Sequence, residues 1–167
     1  MKNIALSILL VIISFSLYSQ DVPQVQIKDL NGKTVNTKTI IQNNGKPVIV
    51  SFFATWCKPC IKELTAFNEE YADWAEETGV KIIAISIDNA RSSSSVAPFV
   101  NARGWEFDVY LDANSDFKRA MNVGNVPHTF LLDGKGKIVW QHTSYLEGDE
   151  KHTFEIIQKV AKGQPIK

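Results

Sequence analysis

The chain has only two cysteines, and they stand two residues apart in Trp56-Cys57-Lys58-Pro59-Cys60, between an apolar run and a helix-like segment. This placement constrains the fold more than any other feature, because a strand must end and a helix begin where the two thiols meet. At a helix start their sulfurs lie within bonding reach, so the pair can close into a small disulfide ring and reopen. A purely structural bridge gains its stability by closing a loop of the unfolded chain, and two intervening residues close almost none. A zinc site needs two further ligands, and His128, His142 and His152 form no paired Cys/His spacing. The pattern points to dithiol/disulfide redox chemistry.

The elements around the pair follow from periodicity. Pro47 leads Val48-Ile49-Val50-Ser51-Phe52-Phe53, whose nearly continuous β-branched and aromatic character suits a strand buried on both faces. From Lys58 to Thr78 apolar residues recur at Ile61, Leu64, Phe67, Tyr71 and Trp74, which makes one helical stripe that Gly79 ends. Pro59 is tolerated in the first turn, where its missing N–H has no intrahelical partner to lose. At this spacing the three aromatics read as core. Val80 to Ile87 is the next strand, closed by Asp88, and a strand-helix-strand order implies a parallel, right-handed unit.

Upstream, Val25-Gln26-Ile27 alternates, Asn31-Gly32 turns, and Thr34-Val35 returns as a small hairpin. Downstream, Ser92 to Ser95 reads as loop and N-cap before a helix from Val96 to Arg103. A strand from Phe107 to Leu111 and a short helix from Ser115 to Met121 precede Val126-Pro127-His128. Thr129 to Leu132 and Lys137 to Gln141 flank the turn Asp133-Gly134-Lys135-Gly136 as antiparallel strands. Asp149 to Lys162 closes the chain as an amphipathic helix with Phe154, Ile157, Val160 and Ala161 on one face.

Lys2 followed by an apolar stretch from Ile4 to Tyr18 reads as a signal peptide over residues 1–19, leaving a single domain over 20–167. The stretch is shorter than the ~20 residues that span a bilayer. Leu17 is larger than the usual residue at its place before the cleavage site, so an uncleaved anchor stays open. Eighteen basic residues balance eighteen acidic ones, so no global field argues for a nucleic-acid or anionic-membrane partner.

Phe53-Ala54-Thr55-Trp56-Cys57-Lys58-Pro59-Cys60, Glu63, Val126-Pro127, and Phe130-Leu131-Leu132-Asp133 followed by Gly136-Lys137-Ile138-Val139 together carry a family signature. With the order of elements, the stretch from about Val25 to Lys162 resembles the thioredoxin fold, and its N-terminal hairpin and central insertion resemble the TlpA/ResA branch of exported thioredoxin-like proteins. The resemblance implies an α/β fold with a mixed central sheet flanked by helices. It also implies a periplasmic or otherwise extracytoplasmic thiol:disulfide oxidoreductase that needs no cofactor and no metal. Its expected partners are disulfide-containing exported proteins, apocytochrome c being a common substrate of such relatives, and a membrane electron donor; the expected state is a monomer.

In that frame Cys57, at the helix N-terminus, is the nucleophile, stabilised as a thiolate by orphan N–H groups and the helix dipole. Cys60, one turn in, is the resolving thiol. Lys58 adds a positive charge that would tune the thiolate. Glu63 falls three residues after Cys60 on the same helical face, where a buried carboxyl favours its neutral form and could exchange a proton with Cys60. The resemblance implies that role. Ser51 stands where cytoplasmic thioredoxins place a buried aspartate, so no second acid is available there.

Pro127 resembles the cis-proline that faces the disulfide in these proteins, although an X–Pro bond alone is cis in only ~5% of cases. Val126 then offers backbone groups to an extended substrate, and Trp56 caps the same groove. His128 departs from the threonine common after this proline; His142 and His152 receive no role. An oxidant or isomerase could use the same residues, since direction is set by potential. A copper-binding thioredoxin-like chaperone would ordinarily have three residues between its cysteines. A thiol peroxidase would carry a Pro-x-x-x-Thr-x-x pattern that the residues before Cys57 do not reproduce.

Overall fold

The structure is a computed structural model that describes residues 21–166. The expected signal peptide lies outside the described residues. Among those described, no helix is long and apolar enough to cross a membrane.

Chain order is β1 (Gln26–Asp29), β2 (Thr34–Asn36), α1 (Thr37–Ile40), β3 (Val48–Phe53), α2 (Lys58–Thr78), β4 (Lys81–Ser86), α3 (Val96–Arg103), β5 (Asp108–Leu111), α4 (Asp116–Ala120), β6 (His128–Leu132), β7 (Ile138–Thr143) and α5 (Asp149–Ala161). The strands form one seven-stranded sheet in the order β2-β1-β5-β4-β3-β6-β7. Parallel pairing joins β3 to β4 and β4 to β5, while β6, β7 and the N-terminal hairpin run antiparallel, so the sheet is mixed and thioredoxin-like, as the sequence predicts.

β3 lies inside the sheet between β4 and β6, and all six of its residues are buried. Its two faces feed two cores, because side chains alternate across a pleated strand. Ile49 and Phe53 pack with Leu64, Phe67 and Trp74 of α2 and with Ile156 and Ile157 of α5. Val48, Val50 and Phe52 face the opposite core with Phe117 of α4 and Phe130 of β6. Trp74 stacks on Phe154 with ring centroids 5.1 Å apart, tying α2 to α5.

Two local expectations change, and one short helix is added. The serine run does not cap α3 through a side chain; Ser93–Ser95 forms a 3-10 turn, and Ser95 makes no capping side-chain hydrogen bond. The inward face of α5 carries Thr153 and Ile156 beside Ile157, with Phe154 and Val160 packed at its side, while Ala161, the last helical residue, is exposed. The chain after β2 also makes the short helix α1, where the Asn36 side chain accepts the Lys38 N–H at 2.8 Å.

Candidate functional site

Cys57 is the N-cap of α2, extended in backbone, and its sulfur accepts the Cys60 N–H at 3.3 Å. Cys57 and Cys60 are joined as a disulfide with Cα atoms 5.3 Å apart. The two are unequal: Cys57 is 6% exposed and Cys60 is completely buried. Lys58 and Pro59, between them, are exposed, and Trp56 is 68% exposed, so the tryptophan sits outside the core.

The loop that delivers Cys57 is held by a residue that sequence reasoning treated only as a strand end. Asp88 is buried, and its carboxylate accepts the Thr55 N–H at 2.9 Å, the Thr55 hydroxyl at 2.7 Å and the Ser86 hydroxyl at 2.8 Å. The loop before the disulfide is thereby fastened to the end of β4.

Behind the disulfide lies a polar cluster inside the apolar layer. Strand register places Ser51 of β3 opposite Thr129 of β6, and Thr129 opposite His142 of β7, in one row across the sheet. Glu63 of α2 faces that row and is completely buried. Its Oε2 accepts the Ser51 hydroxyl at 2.9 Å and lies 3.0 Å from the Thr129 hydroxyl, which is also 2.9 Å from Ser51 Oγ. Its Oε1 is 2.6 Å from His142 Nε2. Both carboxylate oxygens therefore have partners, as burial of an acid requires. His142 is the site residue that sequence reasoning missed. Its signal was the alternation Ile138, Trp140, His142, all half-buried, against exposed Val139, Gln141 and Thr143 in β7.

The Val126–Pro127 peptide is cis, and Pro127 is buried at the start of β6. His128, next in line, stacks on Phe130 with centroids 4.3 Å apart and meets Gln141 Oε1 through Nε2 at 3.0 Å; its Nδ1 is buried without a partner. His128 thus belongs to the β6–β7 ladder and is not part of the Glu63 cluster. His152 lies on exposed α5 surface beside Glu155, at 3.7 Å. Among the described residues no group of three or more His, Cys, Asp or Glu side chains could hold a metal ion.

A thioredoxin-type sheet with a Cys-x-x-Cys disulfide at the head of a long helix and a cis-proline at the start of a neighbouring strand defines the class of thiol-disulfide oxidoreductases. The AhpC/TSA family profile matches residues 18–141. ResA of Bacillus anthracis, a thiol-disulfide oxidoreductase, is 38% identical over 122 residues, covering 73% of this chain and 67% of its own length. ResA of Geobacillus kaustophilus is 29% identical over 170 residues, covering 93% and 94%. Among solved structures, a thioredoxin-like protein of Porphyromonas gingivalis aligns with a TM-score of 0.75 at 50% identity, over 84% of this chain and 92% of that one. StoA of Bacillus subtilis shares the fold with a TM-score of 0.61 at 24% identity, over 80% and 97%. The chain belongs to the AhpC/TSA family and to its ResA-like thiol-disulfide oxidoreductases.

Proposed function

We propose that the protein is an exported reductant of disulfides in extracytoplasmic proteins, with apocytochrome c cysteines as one substrate class. The observation that carries this reading is the inequality of the two sulfurs: Cys57 caps α2 near the surface while Cys60 is sealed beneath it. In the dithiol form the Cys57 thiolate, favoured by the helix N-terminus and by Lys58, attacks a substrate disulfide, forming a mixed disulfide and releasing one substrate thiolate. Cys60 then loses its proton to Glu63 and attacks Cys57 Sγ. The enzyme disulfide forms, the second substrate thiolate leaves, and two electrons have passed to the substrate. Trp56, Val126 and Pro127 form the docking edge, where backbone groups of Val126 pair with an extended substrate segment. Names of the ResA relatives support the reaction class, and the apolar stretch at Ile4 to Tyr18 supports export. A membrane carrier would return the enzyme, a monomer, to the dithiol state.

The test is the reduction potential of Cys57/Cys60, measured by equilibration of the purified protein against thiol buffers with Trp56 fluorescence as the signal. A value near about −270 mV fits a reductant, and one near about −120 mV would make the protein an oxidant.

A further inference from the structure

We infer that His142 is a positioning residue for the thiol chemistry, relaying protons between the buried Glu63 carboxylate and solvent. The inference rests on the reading of Cys60 and Glu63 given above. Glu63 has no surface of its own, so a proton it takes from Cys60 must leave through a neighbour. Among the described residues, three side chains hydrogen-bond to its oxygens. Ser51 and Thr129 are themselves completely buried, and a hydroxyl passes a proton on only by receiving another. His142 contacts Oε1 at 2.6 Å and its side chain is 19% exposed. An imidazole can take a proton on one ring nitrogen and release it from the other. Of the three partners, His142 alone combines a titratable group with a path to water.

The relay then has a definite direction in each half-reaction. During resolution the Cys60 proton passes to Glu63, the neutral Glu63 carboxyl hands a proton to His142 Nε2 in the tautomer that leaves this nitrogen unprotonated, and the imidazole releases a proton to solvent from Nδ1. Formation of the enzyme disulfide is thereby balanced by one proton lost to water. Reduction by the electron donor runs the same path inward. The groups around His142 are Glu63 from α2, Thr129 from β6 and Trp140 on its own strand, whose ring meets the imidazole edge-on at 4.8 Å. Beyond Trp140 lie His152 and Glu155 of α5. Cys60 sits one turn before Glu63 on α2.

The experiment uses the full-length protein carrying His142→Gln, which offers Oε1 an amide donor but cannot carry a proton, and His142→Ala with added imidazole. Resolution of a mixed disulfide preformed on Cys57 is followed from pH 5 to pH 9, alongside Glu63→Gln. The relay predicts that His142→Gln resolves about 10²-fold more slowly at neutral pH. It also predicts that the loss shrinks toward the alkaline end of the range, where hydroxide removes the proton without the relay, and that imidazole restores His142→Ala. Near-normal resolution in His142→Gln, or a slow His142→Ala that imidazole does not rescue, would overturn it. If Glu63→Gln is slow while His142→Gln is normal, the relay alone fails. If Glu63→Gln is itself normal, the reading of Glu63 fails and the relay with it.

Discussion

Asp88 sets where Cys57 can stand. Its carboxylate takes three hydrogen bonds, two of them from Thr55, two residues before Cys57. Removing it strands the buried donors, and hydrogen bonds to a charged group contribute more than neutral ones. Asp88→Ala is therefore expected to lower unfolding free energy by about 2–3 kcal/mol in urea titration, with Asp88→Asn losing less because one acceptor oxygen survives. A wild-type midpoint for Asp88→Ala would show that the loop is held by something else. Cys57, Cys60 and Glu63 were legible in the sequence because their spacing is local to one helix start. Asp88 and His142 were not, because their partners are set by strand pairing: Thr55 stands 33 positions before Asp88, and Glu63 stands 79 before His142. No periodicity within a segment reports register between segments.

Elements whose pattern repeats within a few residues were readable, and those shaped by neighbours were less so. The fully buried β3 and the stripe of α2 appear almost as read, since each is dictated by the apolar pattern of its own residues. The turn after β6 was recognised, but the need for its glycines was hidden. Gly136 has φ of +79°, while a Cβ at Gly134 would collide with the carbonyl oxygen of Gly45, a contact made by a distant loop. At the head of α5 the N-cap is Gly148, which offers no side chain, and acidic residues take over the capping. Leu146 N–H donates to Asp149, and Gly148 N–H and the Tyr145 hydroxyl donate to Glu150, the latter at 2.6 Å. Burial works against the Glu150 anion, but the Tyr145 hydroxyl and the Gly148 N–H outweigh it and hold its pKa below the usual carboxylate value. A carboxylate whose folded pKa is lowered contributes stability above its unfolded pKa and loses it as pH falls through the folded one. Tyr145→Phe is expected to cost about 1 kcal/mol at neutral pH, with the variant and wild-type stabilities converging at acid pH. Thermal melts across pH measure this; a gap that persists unchanged into acid would contradict it.

For the whole molecule, the chain places a short polar row and a disulfide within one of its two apolar layers, the one between the sheet and α2. The fold was legible at this scale because strand-helix-strand order and handedness leave few arrangements. The extension of the sheet was not, because the pairing of β1 with β5 joins segments far apart in sequence, with Lys28 opposite Leu111. The proposed function rests on one division of labour, in which Cys57 would attack from the head of α2 and Cys60 would resolve from within, assisted by Glu63. The most direct test is to mix each reduced single-cysteine variant with a disulfide-containing substrate and look for a trapped adduct by mass spectrometry. The account predicts that Cys60→Ser accumulates a stable mixed disulfide on Cys57, while Cys57→Ser forms essentially none through the buried Cys60. Equal trapping by both variants, or trapping through Cys60 alone, would contradict it.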